Sequence, residues 1–402
     1  MADYEINVPG NLLSSLMTEK NGIASLLETI LNQVLEAQAV EQIGAERYER
    51  SDERMAYRNG YRPRQIYTRV GPLTLRVPQF RDGQFSTEIF GRYQRSEQAF
   101  VLALMEMVVN GVSTRKVTRV TEELCGVSFS KSTVSHLCTA LDARVRAFNE
   151  RRLGAFPFLI VDAMYFKARE CDAVESKAAL LVSGVNTEGH REILGVRIGD
   201  SESVVFWTET FRWLKERGLQ DVTFVVSDDH NGLVQAARRC FQGAIWQRCQ
   251  VHFMRNVLSH TASKHKRMMG EGLKRIFGAD STQEARDRFS ELADQMEHKA
   301  AKAIECLENG LEDGLAVMAL PRKYWRRLKS SNMQERLIQE IRRRERVIRI
   351  FPNGDSALRL MGALLAEIHE EWQSRRYLEM TEFNEWLVVR KEQTKNTIIA
   401  LN

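Results

Sequence analysis

Between Phe156 and about Ser259 the hydrophobic period switches repeatedly, and the resulting order constrains the fold more than any other feature of the chain. Phe158-Leu159-Ile160-Val161-Asp162 reads as a short apolar strand ending in an acid. Ala178 to Val185 and Glu192 to Ile198 read as two more strands, joined by a turn over Asn186 to Gly189. An amphipathic helix from Val204 to Arg217 follows. Then come a strand from Thr223 to Asp228, a helix from Asn231 to Cys240, a strand around Ala244 to Arg248 and a helix from His252. Both Asp162 and Asp228 therefore fall at the carboxyl ends of apolar strands, where open α/β sheets build their sites.

Three strands, helix, strand, helix, strand, helix is the order of a ribonuclease H-like core, so the fold class expected is α/β. One aspartate at a strand end is usually a turn former or helix cap. Two on adjacent parallel strands can converge and hold a hard divalent cation through oxygen. Two-metal phosphoryl transfer usually recruits a third carboxylate, with one cation activating the attacking oxygen and the other stabilising the leaving 3′-oxygen.

The rest of the chain gives this core its neighbours. At 402 residues and 43% hydrophobic content, two or three domains are expected. Apolar positions at helical spacing from about Leu12 to Ala45 predict an amphipathic helix, for packing on its own domain or for self-association. Tyr57 to Phe85 predicts a small β element, with Asn59-Gly60, Gly71-Pro72 and Asp82-Gly83 as turns. Ser113 can cap a helix through Leu124, and Ser130 a second one opening Lys131-Ser132-Thr133-Val134-Ser135-His136. That pair, joined through Gly126, is the layout of a helix-turn-helix DNA reader. About Ala262 to Tyr324 is charged and helical, an insertion into the core, and the helix Asn332 to Arg349 is closed by Phe351-Pro352-Asn353-Gly354. The expected regions are 1–95 (N-terminal helix and basic β element), 96–150 (helix-turn-helix), 151–260 (first part of the core), 261–325 (insertion) and 326–402 (end of the core with a basic helix).

Charge is unevenly distributed. Arg58 to Arg81 holds six arginines and no acid, and Arg322 to Arg349 holds eleven Lys/Arg against three Glu, a local +8 on a chain whose total is +5. Two separated basic surfaces imply a polyanion met in more than one place. Arg342, Arg343, Arg344, Arg346 and Arg349 dominate the C-terminal helix where a solvated face would interleave acids, favouring a phosphate backbone. No apolar run of about 18 residues and no signal peptide is visible, and the six cysteines are scattered, so a cytoplasmic chain with reduced thiols is expected.

YRNGYRPR (57–64), TRVGPLTLRVP (68–78), FLIVDAMYFKARE (158–170), VVSDDHNGLVQAARRCF (225–241), QRCQVHFMRN (247–256) and SSNMQERLIQEIRRRERVIRIFPN (330–353) carry a resemblance. Together they resemble bacterial insertion-sequence transposases of the Mutator-like group, over about residues 57–370 and in that family's order. The resemblance implies a DDE triad, with Asp162 the first acid, Asp228 the second and Glu335 the third. It implies a two-metal Mg2+ or Mn2+ site, binding of terminal inverted repeats and target DNA, and strand cleavage followed by strand transfer. A homodimer or larger assembly is expected, since two DNA ends need two active sites, and a bacterial, nucleoid-associated location. The alternative is a catalytically inactive, transposase-derived DNA-binding regulator; a structure-specific nuclease is a third possibility.

Glu340 is the nearest rival to Glu335, but five residues turn a helix by about 500°, so the two point to different faces. Arg58, Arg62, Arg64, Arg69, Lys131, Ser132, Thr133, His136, Arg255, Arg336, Arg342, Arg343 and Arg346 are the expected DNA contacts. Cys249, His252, Asn256 and Asn332 are expected to support the acids; Cys249-x-x-His252 lacks the second half of a zinc site. His230 suits turn stabilisation better than proton transfer. The sequence departs from the family pattern at Asp229, where a glycine is usual, and at Ser330-Ser331, where a threonine pair is usual. Asp229 either crowds the metal site or points to solvent.

Overall fold

The computed structural model describes residues 6–401 apart from 17, 20, 51, 53, 82–84, 91–97, 126–133 and 135–137. It divides into two compact units, Met1–Ala140 and Leu141–Asn402.

In the first unit the single helix expected from about Leu12 breaks into α1 (Gly10–Ser15) and α2 (Gly22–Ile43). A side chain at Gly22 would sit 2.3 Å from the Ser15 carbonyl oxygen, so glycine is what lets the chain fold back there. The antiparallel hairpin β1 (Arg58–Thr68) and β2 (Gly71–Phe80) presents Ile66, Leu73, Leu75 and Val77 to Leu35 of α2. α2 also covers the open edge of β2, since Glu28 and Asn32 accept the Thr74 and Arg76 amides at 2.9 and 2.7 Å. The self-packing reading of this helix is the one the contacts bear out. Asn59-Gly60, expected as a turn, lies inside β1. Gly60 takes a φ of 77° and the pairing slips between Arg58 and Tyr61, a bulge that glycine makes cheap. Helices α3 (Gln98–Val109) and α4 (Thr114–Cys125) follow, with Ser113 Oγ accepting the Lys116 amide at the start of α4. The second helix of the expected pair, with Lys131, Ser132, Thr133 and His136, lies outside the described residues.

The second unit opens with α5 (Leu141–Glu150), which packs on the strand Arg191–Gly199 and the helix Gly354–Gln373 of that unit, ten residues before the boundary expected at 150. Its mixed sheet contains β3 (Phe158–Glu170), β4 (Ala173–Val185), β5 (Arg191–Gly199), β6 (Phe224–Ser227) and β7 (Ile245–Arg248), in the order β5-β4-β3-β6-β7. β3, β4 and β5 are antiparallel; β6 and β7 run parallel to β3. Leu159, Val161, Leu180, Val182, Leu194 and Val225 pack on α6 (Val204–Glu216) and α7 (Asn231–Cys240). By strand alternation Ile160 and Asp162 lie on the opposite face.

β3 does not stop at Asp162, as the sequence suggested. It pairs with β4 as far as Glu170, in a hairpin whose outer part is exposed on alternate positions. Its parallel pairing with β6 ends at Ile160. Asp162 thus sits just past the carboxyl end of the parallel pair although it lies mid-strand.

α8 (Gln250–Ser259) leads into the helical insertion, α9 (Lys266–Ile276) and the kinked α10 (Thr282–Leu315), which forms its own core around Met269, Leu273, Leu292, Met296 and Leu307. Gln247 and Gln250 both donate to the Gly314 carbonyl, at 2.8 and 2.9 Å, tying the insertion to the sheet. α11 (Arg322–Leu328), α12 (Asn332–Ile348), α13 (Gly354–Gln373) and α14 (Thr381–Leu401) complete the unit. No helix among the described residues is long and apolar enough to cross a membrane.

Candidate active site

Asp162 is buried, only 6% exposed, and its Oδ1 accepts the Ala163 amide at 2.9 Å. Burial, followed by repulsion from Asp228, pushes its carboxyl up to about 7. Asp228 leaves the end of β6 and its Oδ1 accepts the His230 amide at 3.3 Å, the turn-stabilising role expected of that residue. A third acid, Glu202, presses on both aspartates. Its side chain is 7% exposed, accepts Trp207 Nε1 at 3.1 Å and lies 3.3 Å from His230 Nδ1. Burial first, then Asp228, raises its carboxyl above the usual range. Gly232 makes this closeness possible: a Cβ there would come within 2.9 Å of the Val204 amide nitrogen.

Glu335 enters from α12. The helix is seated by Gln334, fully buried, which donates to the carbonyls of Ile160 and Leu181 at 2.9 and 3.0 Å and accepts Ser183 Oγ at 3.0 Å. Glu335 Oε1 is held by His252 Nε2 at 3.2 Å and by Arg255 at 2.9 Å. His252 in turn stands beside Cys249, whose Sγ accepts the amide and hydroxyl of Ser331 at 3.3 Å each. The Cys249 contact, with Asp162 and Glu335 adding attraction, outweighs burial and lifts His252 to about 9. Burial pushes the Cys249 thiol up, but the contacts with His252 and Ser331 win and leave it below its ordinary value. Cys249-x-x-His252 is therefore a charged bracket between β7, α12 and Asp162.

Glu340, the rival acid, is turned away and bonded to Arg343 and Arg344, which hold it below the usual carboxylate range, Arg344 foremost. Asp229 does not crowd the acids: it is exposed, the second of the expected alternatives, and pairs with Arg248 of β7 at 3.0 Å. Among the described residues no three His, Cys, Asp or Glu side chains are gathered tightly enough to hold a metal ion, and Glu335 is engaged by its two cations instead. The donor chemistry nevertheless suits a hard dication. The ligands available are carboxylate oxygens, and a bound cation would offset both the burial and the Asp228 repulsion that together push Asp162 up to about 7.

The expected DNA contacts separate into groups. Arg58 is mostly buried against Glu36 at 2.7 Å, and Arg64 lies over the Phe90 ring at 4.2 Å, so both serve the first unit's packing. Arg62 and Arg69 are exposed. On α12, Arg342 pairs with Glu345 at 2.6 Å, and Arg346 is exposed with no ion-pair partner among the described residues. Asn256 donates to Cys306 Sγ at 3.6 Å, away from the acids, and Asn332 is exposed at the head of α12. Arg336 belongs to a group the sequence did not reveal. It stands with Arg327 and Arg375 close enough to repel Arg191, which lies 4.2 Å over Trp372. Arg191 and Arg327 also share the Tyr377 ring, at 5.4 and 4.7 Å.

The family model for "Transposase, Mutator family" matches residues 10–375. The transposase for insertion sequence element IS256 in transposon Tn4001 of Staphylococcus aureus is 45% identical over 360 residues, 88% of this chain and 92% of that protein. The transposase for element ISRM5 of Rhizobium meliloti is 44% identical over 372 residues, 92% and 94% of the two chains. That for element IS1081 of Mycobacterium tuberculosis is 38% identical over 360 residues, 89% and 87%. With nearly its whole length matched, and with acids, helical insertion and basic helix on one scaffold, this chain belongs to the Mutator family of transposases.

Proposed function

We propose that this transposase binds the terminal inverted repeats of an insertion sequence, cuts a phosphodiester at each end and joins the freed 3′-hydroxyl to target DNA. The observation that carries the reading is Asp162, buried beside the parallel β3–β6 junction and coupled to Asp228, with α12 bringing Glu335 over the same sheet face. The order β5-β4-β3-β6-β7, antiparallel then parallel, supports a ribonuclease H-like core.

Asp162, Asp228 and Glu335 would hold Mg2+ or Mn2+, Glu335 being freed from Arg255 when DNA arrives. Bound cations of this kind lower the pKa of the attacking water or hydroxyl and neutralise charge on the leaving oxygen. The chain's own residues do the positioning. Gln334 fixes the register of α12 on β3, His252 supplies a fixed positive charge beside Glu335 and Asp162, and Arg248 draws Asp229 away so that it leaves the site open. Glu202 would serve as a further carboxylate, orienting His230 and the Asp228 turn. Arg191, Arg327, Arg336 and Arg375 would take DNA phosphates.

Lys131, Ser132, Thr133 and His136 remain the proposed base-reading residues, and a homodimer or larger assembly on DNA the working form. The test is incubation of purified protein with the element's end duplexes and Mg2+, followed by strand-resolved analysis. Cleavage and joined product support the reading. Specific binding without cleavage in Mg2+ or Mn2+ favours the inactive regulator, and cleavage without joining a nuclease.

A further inference from the structure

α12 is pinned to β3 at both ends. Gln334 bonds the Ile160 carbonyl near its start; beyond its end, the Phe351 amide donates to the Lys167 carbonyl at 2.9 Å and the Arg169 amide to the Phe351 carbonyl at 2.9 Å. The Phe351 ring meets Phe166 edge-on at 5.5 Å and fixes that second anchor. Strand and helix therefore run side by side from Asp162 and Glu335 toward a groove of about 490 Å³, lined by Tyr165, Lys167, Ser176, Arg342, Arg346 and Arg349.

Three features of the groove call for an occupant. Its charge is positive: its one acid, Glu345, is bound by Arg342, and Arg346 and Arg349 have no ion-pair partner among the described residues. Its wall includes Tyr165, 44% exposed, which strand alternation turns outward while Phe166 is buried, so an aromatic face is open to the groove. Its rim is strained. Arg349 has φ 66° and ψ −52°, and the Ile350 amide donates to the Ile348 carbonyl at 2.8 Å, a high-energy three-residue turn that no glycine eases. Strain of this kind persists where the surroundings hold a side chain in a required position, here Arg349 at the groove edge.

We propose that this groove receives an unpaired DNA base next to the strand being cut, stacked on Tyr165, with Arg346 and Arg349 on the flanking phosphates. The proposal rests on the transposase reading and adds to it a single-strand subsite. Exposed arginines alone suit any DNA backbone. An exposed aromatic face among them is the combination that holds unstacked bases, because every base offers a π-face and a duplex keeps its bases covered. Tyr165 lies three residues beyond Asp162, about 10 Å of strand, or roughly three stacked nucleotides at about 3.4 Å each, and by alternation it stands on the other face of β3. A strand end leaving the acids would reach it, after local fraying, by passing the edge of β3 left open where the β6 pairing ends at Ile160.

The experiment is metal-free binding, by fluorescence anisotropy, of an end duplex that is blunt or carries a short oligothymidine extension with one 2-aminopurine. The wild-type chain is expected to bind the extended duplex about tenfold more tightly than the blunt one, with a change in 2-aminopurine emission. Tyr165→Ala should erase both the preference and the emission change, and Tyr165→Phe, which keeps the ring, should retain both. Arg346→Gln should weaken both duplexes. Asp162→Asn should keep the preference, so failure of the metal-site reading leaves this test standing. A wild-type chain indifferent to the extension, or Tyr165→Ala retaining the preference, overturns the proposal.

Discussion

The second unit carries two arginine-rich regions that differ in what faces them. On α12, Arg342, Arg343 and Arg344 are answered within their own helix by Glu345 and Glu340, so a run that is conspicuous in the sequence is largely neutralised in the fold. Arg191, Arg327, Arg336 and Arg375 come from four separate segments and converge around Tyr377 and Trp372 with no ion-pair partner among the described residues. A charge run is a property of the chain, and a charge patch a property of the surface. The converging four, together with Arg346 and Arg349 at the groove, have no ion-pair partner among the described residues, and they add to the attraction for a polyanion.

The largest expected effect separates the two regions directly. Arg327→Glu with Arg336→Glu should weaken DNA binding on the order of 100-fold at low salt and flatten the slope of log affinity against log salt by about 2, as two phosphate contacts are lost. Salt-series anisotropy measures both. Arg343→Gln with Arg344→Gln removes the same number of arginines; an equal loss of affinity there would dissolve the comparison.

The acids show the same contrast between a strained cluster and a compensated one, and pH reads it. Asp162 titrates near 7 in the fold, above its unfolded value, so its contribution to stability is intact at pH 4 and is lost as pH rises through 7. Asp162→Asn should therefore melt above wild type in the absence of metal by roughly 2–4 °C at pH 8, for about 1 kcal/mol of relief, with the gap closing toward pH 4. His252 has the opposite character. Held at about 9, it contributes stability below its unfolded pKa that disappears as pH rises through 9. Imidazole NMR titration should show a larger drop in its pKa for Cys249→Ala than for Glu335→Gln, because the Cys249 contact is the dominant cause. The smallest effect belongs to the self-neutralised run: Arg343→Gln with Arg344→Gln should cost about 0.5 kcal/mol of stability and change DNA affinity by less than about twofold.

The sequence made the order of strands and helices along the second unit legible because the apolar runs are dense and separated by helices of the other period. It also singled out Asp162 and Asp228: Asp228 does follow the end of β6, whereas Asp162 lies within β3, just past the end of its parallel pairing. The outer half of β3 was hidden because Tyr165, Lys167 and Arg169 face solvent on alternate positions and weaken the apolar signal. Glu202 was invisible for a different reason: it lies in the polar stretch Asp200-Ser201-Glu202-Ser203, and only the packing of α6 against α7 buries it beside Asp228. The arginine group is non-local in the same sense, with Arg191 and Arg375 far apart in sequence and brought together by the fold. The Asn59-Gly60 pair misled because an αL glycine serves a bulge as readily as a hairpin turn.

The central claim is that Asp162, Asp228 and Glu335 act together on a bound cation to cut DNA, and strand cleavage with binding measured in parallel tests it most directly. Wild-type protein with an element-end duplex should cleave in Mg2+ or Mn2+ and not in EDTA. Asp162→Asn, Asp228→Asn and Glu335→Gln should each lose at least about 10³-fold in cleavage rate, on the order of 4 kcal/mol, with end binding within a few-fold of wild type. A variant that cuts at the wild-type rate, or a wild-type protein that binds its ends and leaves them intact in both metals, would contradict the account.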